Sequence, residues 1–298
     1  MWLVGQTCLI LKRSDITIPV PMRHDGKISL PAVLVSLFVA GTACSIKESR
    51  QLCPCWATVN LTHFEELMDY EYARTEIITG SRLIEDETVA FSDYAARPYE
   101  KKLEHRAPTT IAAACGYEAM SSHSDSLICK LGSEVGRVWT ASLTQDCNGD
   151  YAWFDLHPHK DYTTITFIVL GIDSADEFMY DMRVRANYNG VRLRDRKPVE
   201  GPYVAYVRPR EAGVIFDVRV PRQADDEMVL DMLAPRPDRT YTVDDRIDVI
   251  PLGLRLRSQG FDWGKEDLDD AVVTIDFARL STNVIVREWK KEEIEETI

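Results

Sequence analysis

Five groups of residues could do chemistry, and the first is a thiol placed for acylation. Residues 28–43 are largely apolar, end in Gly41, Thr42 and Ala43, and lead directly into Cys44. Arg23 and Lys27 form a small basic region just upstream. That order is a secretory signal closed by a lipobox, where cleavage frees the Cys44 thiol and amine for acyl chains. Each buried methylene adds ~0.8 kcal/mol, so several chains anchor a body firmly. Cys44 is the expected lipidation site. A core helix is the competing reading, but a basic start and a Gly-Thr-Ala-Cys end argue against it.

The other four groups fall short of a site. Cys53-Pro-Cys55 has one intervening residue, where redox and metal pairs use two. With Cys115, Cys129 and Cys147 these make an odd set, which leaves at least one thiol unpaired in an exported chain. An extended His157-Pro-His159 could offer two imidazoles to a metal, helped by Asp155 and Asp161. No third histidine lies close in sequence, so a polar loop is the better reading. His123-Ser-Asp125 among Ser121, Ser122, Ser124 and Ser126 hints at a hydrolase, yet no Gly-x-Ser-x-Gly elbow occurs. The acidic clusters Asp244, Asp245, Asp248 and Asp267, Asp269, Asp270 lack calcium-loop spacing and read as solvated turns. Phosphate-loop and dinucleotide fingerprints are absent from the sequence. The expectation is a chain with no catalytic residue, no cofactor and no metal, and not an enzyme.

The formal charge is −13 over 298 residues. Such a surface repels phosphate backbones and argues against a nucleic-acid partner. Met22 is the expected true start, which makes 1–43 an upstream segment plus signal peptide. Residues 44–55 then form a lipidated tether.

Any such site must be held by strands. Period-two alternation marks strands at 57–61, 74–78, 88–91, 109–114 and 137–143, with one or two helical turns at 65–72. The second half alternates more clearly, at 161–172, 178–188, 214–220, 227–233, 246–257, 270–280 and 283–289. Asn189-Gly190 suits a type I′ hairpin turn returning through 191–193. Ile165, Phe167, Val169, Val214, Phe216, Val218, Val273, Ile275 and Phe277 are the expected inward residues. Short strands separated by turn residues give an all-β chain of antiparallel sandwiches. The expected bodies are an N-terminal sandwich at 56–158 and a C-terminal one at 159–298. In the last strand Ile285 and Trp289 oppose Val284 and Val286, so both faces are apolar. An open edge of that kind needs a cover. It either enters a neighbour's groove or pairs with 270–280 as a final hairpin.

The order of lipobox, charged spacer, Cys53-Pro-Cys55 and first strand resembles the fimbrillin-associated anchor lipoproteins of Bacteroidota. Lys47-Glu48 is similar to the short signals that route such lipoproteins to the cell surface, and the Asn189-Gly190 hairpin to part of the family's second domain. The resemblance implies two tandem transthyretin-like β-sandwiches, anchored to the outer membrane through the N-terminal lipid. It also implies fimbrillin stalk subunits as partners, joined by β-strand donation. Asn283, Val284, Ile285, Val286, Arg287, Glu288 and Trp289 form the candidate donor strand. The alternative is a surface glycan- or ligand-binding lipoprotein whose Trp153, Trp263 and Trp289 stack on sugars.

Overall fold

The computed structural model describes residues 54–67, 70–94, 98–103, 107–171, 180–209, 214–234, 249–276, 279 and 281–289. Cys44, Phe277 and the 244–248 acidic cluster lie outside them. The first half gives β1 (Cys55–Asn60), the helical turn α1 (Thr62–Glu65), β2 (Tyr72–Thr79), β3 (Arg82–Ala90) and β4 (Tyr99–Leu103). Next come β5 (Pro108–Cys115), β6 (Met120–His123), β7 (Ser126–Cys129), β8 (Trp139–Asp146) and β9 (Tyr151–Asp155). The second half gives β10 (His159–Lys160), β11 (Tyr162–Leu170), β12 (Asp181–Arg192), β13 (Pro198–Tyr206) and β14 (Arg208–Pro209). It ends with β15 (Ile215–Pro221), β16 (Met228–Leu233), β17 (Val249–Leu254), β18 (Asp270–Asp276) and β19 (Ser281–Arg287).

These described strands form sheets in the orders β4-β1-β9, β10-β8-β5-β2-β3, β14-β15-β11-β18-β19 and β17-β16-β12-β7-β6, with β13 also on β12. The chain is all-β and sandwich-like. Most pairs are antiparallel, while β9 runs parallel to β1 and β18 parallel to β11. In the first sandwich Cys55, Ala57 and Val59 of β1 turn inward with Ala73 and Ile77 of β2. The Tyr99 hydroxyl of β4 bonds Thr75 of β2 (2.9 Å) and also Glu87 of β3, tying the two sheets.

The second sandwich follows its alternation. Phe167 on β11 lies opposite Phe216 on β15 and Val273 on β18. Ile165, Val169, Val218 and Ile275 are also buried, so the strand register is as expected. Val214 is only half-buried because it precedes β15.

Two local expectations fail. Asn189-Gly190 is not a turn: β12 runs through it with irregular register against β13. Gly190 pairs with Ile128 of β7, and a Cβ there would collide with the Leu127 carbonyl oxygen. The glycine serves close strand approach, not a hairpin. Two pairings cross the expected border at 158. The β6–β7 hairpin joins the sheet of β12, and β10 pairs with β8 of the first sandwich. The helical turn expected at 65–72 lies earlier, at Thr62–Glu65, and Tyr72 already opens β2.

On the other face of β2, Arg74 and Glu76 are buried together, 2.6 Å apart. Arg74 also donates to Asp86 (2.8 Å) and to the Ser124 carbonyl in the β6–β7 turn (3.2 Å). The ion-pair distance does not bring hydrogen-bond alignment, and both Glu76 oxygens lack a hydrogen-bond partner. Burial pushes the Glu76 carboxyl up to about 7, against the pull of Arg74.

Two outcomes follow for stability. Phe216→Ala should lose about 3–5 kcal/mol in chemical denaturation through lost burial and a cavity. The raised Glu76 value favours the proton in the folded state, so its contribution is complete below the unfolded value near 4.5 and is lost as pH rises through about 7. Melts of Glu76→Gln should therefore show a smaller loss than wild type between those values; an identical pH slope would refute the assignment.

Candidate functional site

The C-terminal strand expected at 283–289 is β19, Ser281–Arg287, with Glu288 and Trp289 beyond its end. β19 lies at the edge of its sheet and pairs with β18 from Asp270↔Arg287 to Asp276↔Ser281. It thus closes a final hairpin. Val284 is buried and Val286 half-buried, while Ile285 is exposed. Trp289 does not share the outward face of Ile285. It packs edge-on against Trp139, 5.3 Å between ring centroids, with the Lys160 ammonium 5.9 Å from its ring. Its backbone N–H donates to Asp269 (3.0 Å), which fixes the end of the hairpin. The edge is partly covered, because the Val284 N–H donates to the Gln259 side chain (2.9 Å).

At the other end of the fold, β1 fills the position between β4 and β9, in register with both. The Cys55 thiol abuts Cys147, and burial pushes it up to about 11. Cys55, Cys115, Cys129 and Cys147 are all free and buried, which suits packing rather than redox or metal chemistry.

The outward side of β1 and β9 carries aromatics. Trp56 is 45% exposed, Tyr151 78% and Trp153 56%. Trp56 pairs with Tyr151, and Thr58 with Trp153. This exposed aromatic row comes from the pairing of two strands and is not visible in the alternation of either one. Trp263, by contrast, is buried against Phe261 and offers no sugar a face.

The remaining sequence candidates sort by geometry. His157 and His159 do not act as a pair. His157 turns to Asp155 (3.1 Å) and stacks on His63, while His159 faces Glu266 (3.1 Å) and Asp267. Asp267, Asp269 and Asp270 are engaged by donors of the chain itself. Asp267 accepts from the Lys160 N–H, Asp269 from the Lys265 ammonium and Asp270 from the Lys160 ammonium. His123 is exposed beside the β6–β7 turn, where Ser124 takes a positive φ of 53°.

The β-sandwich fold is shared with solved structures from Bacteroidales. The fimbrial anchor protein Mfa2 from Porphyromonas gingivalis aligns over 80% of this chain and 98% of its own, at a TM-score of 0.52 and 11% identity. A Bacteroides thetaiotaomicron protein described as polysaccharide-binding aligns over 80% of this chain and 99% of its own, at 0.51 and 10%. A Bacteroides ovatus protein described as an adhesin aligns over 80% and 96%, again at 0.51 and 10%. No protein-family model and no curated protein matches the sequence. At such identities the likeness is one of fold.

The packing of Trp289 gives a direct expectation. Trp289→Ala should lower the melting temperature and weaken the protection of β19 amides in hydrogen exchange, with β11 and β15 unaffected. Unchanged β19 exchange would mean that the strand is held by its backbone pairing alone.

Proposed function

We propose that this chain is an anchor or assembly subunit of fimbriae, held on the outer face of the outer membrane by lipid on Cys44. Its partners in this reading are fimbrillin stalk subunits, joined through β-strand pairing, and it performs no catalysis. The observation that carries the reading is the fold likeness to a fimbrial anchor across 98% of that protein. It is joined by an intact first strand, β1, seated between β4 and β9. A subunit that keeps this strand offers no groove there to the next subunit, which suits the base of a fibre. β19 carries the candidate donor residues Asn283–Arg287, and as an edge strand it presents backbone that can pair with a neighbouring subunit.

A second reading draws on a different surface. Trp56, Tyr151 and Trp153 form an exposed aromatic row of the kind that stacks on sugar rings, and one fold neighbour is described as polysaccharide-binding. In that case the protein is a surface glycan-binding lipoprotein.

One set of variants separates the readings. A palmitate analogue should label the wild type and not Cys44→Ala; a labelled Cys44→Ala protein ends the lipoprotein assignment. Deleting residues 281–298 should release fimbriae from cells while the labelled protein persists. Fimbriae retained by the folded truncation would sink the role of β19. Trp153→Ala should leave fimbriation intact but remove any polysaccharide retention.

A further inference from the structure

Beyond the aromatic row, the outward faces of β9 and α1 bring two imidazoles and a carboxylate together. His63 lies on α1, Asp155 ends β9, and His157 follows two residues on. The His63 Nε2 is 3.5 Å from Asp155 Oδ1 and the His157 Nε2 is 3.1 Å from Asp155 Oδ2. The rings stack at 4.0 Å between centroids and 24° between planes, so both point the same edge at the carboxylate. One ligand atom from each residue falls within 4.8 Å of the others.

We propose that His63, Asp155 and His157 bind a divalent transition-metal ion of the zinc type. Zinc bonds of about 2.0–2.1 Å in a tetrahedron set ligand atoms roughly 3.3 Å apart. Each nitrogen lies within about that reach of one Asp155 oxygen, His63 Nε2 of Oδ1 and His157 Nε2 of Oδ2. Two imidazoles with one carboxylate are a borderline donor set that suits zinc, copper or nickel rather than calcium or magnesium.

The surroundings orient the ligands as a metal centre requires. A ligating imidazole holds its second nitrogen against a carboxylate or carbonyl. The Nδ1 of His63 lies 3.5 Å from Glu66 Oε2, one turn further along the chain. Asn60 donates to Asp155 Oδ1 at 2.7 Å. His63 is a quarter exposed and His157 more than half, so an ion reaches the site from solvent without any opening of the fold. Three protein ligands leave one tetrahedral position open to water or to a donor from another molecule.

The test is a calorimetric titration of the untagged full chain with Zn2+. One equivalent should bind. His63→Ala and His157→Ala should each weaken binding by at least about tenfold, and Glu66→Gln by about tenfold. His123→Ala, on an exposed histidine away from the cluster, should match wild type. As a second readout, Co2+ should give visible absorption bands of a tetrahedral centre that His157→Ala abolishes. Circular dichroism of each variant separates loss of ligand from loss of fold, and Glu66→Gln keeps every ligand in place. An absence of saturable Zn2+ binding by wild type overturns the proposal. So does binding that both histidine variants leave unchanged.

Discussion

The two sandwiches are held to one another around a single buried carboxylate, Asp161. It sits where the chain leaves β10 in the first sandwich and enters β11 in the second. Its oxygens accept from the Thr140 hydroxyl of β8, from Arg196 (3.1 and 3.2 Å) and from Arg222 (2.8 and 2.9 Å). Arg222 in turn donates to the carbonyls of Trp263, Lys265 and Glu266. One fully buried charge is thereby satisfied by three chain segments, and a fourth is fastened behind it. Leaving such a carboxylate unpaired is far more costly than an ordinary lost contact, because its desolvation is uncompensated. The same junction seats Lys160, whose ammonium bonds Asp270 (2.7 Å) and lies under Trp289. The placement of the C-terminal hairpin therefore depends on the seam.

Strands with one wet and one dry face were legible in the sequence, since the pleat writes burial directly into alternation. β11, β15 and β18 are of this kind, and Ile165, Phe167, Val169, Phe216, Val218, Val273 and Ile275 all follow the alternation inward. β4 escaped because Tyr-Glu-Lys-Lys-Leu turns only Tyr99 and Leu103 inward, too few to show a period. β6 escaped because its residues after Met120 are polar and exposed. Asn189-Gly190 misled for a different reason. Its local turn preference is genuine, but the approach of β7 demands a residue without a side chain, and tertiary packing overrode the local signal.

Sites made by folding are harder to read than strands. His157 and Asp155 were visible as neighbours, yet their third partner, His63, lies far back in the chain. No spacing rule connects the two, because the parallel pairing of β1 and β9 makes the juxtaposition. Asn60↔Asp155 is a register fact, not a sequence motif. The same pairing aligns Trp56 with Tyr151, and so creates an aromatic surface from residues that look unrelated along the chain.

The edges of the sheets show where a strand could join. β3 and β4 carry Glu85, Asp86, Glu87, Glu100, Lys101 and Lys102, charges of the type that discourage edge pairing. β9 and β19 are different. Tyr151 and Trp153 stand exposed on one, Ile285 on the other. On each, a glutamine side chain occupies a backbone group. Gln145 donates to the Trp153 carbonyl (2.9 Å), and Gln259 accepts from the Val284 N–H (2.9 Å). A neutral side-chain hydrogen bond contributes only about 1 kcal/mol net, much less than the ladder that an incoming strand would form. Each glutamine thus occupies one backbone group of its edge and holds it to a neighbouring segment of the same chain.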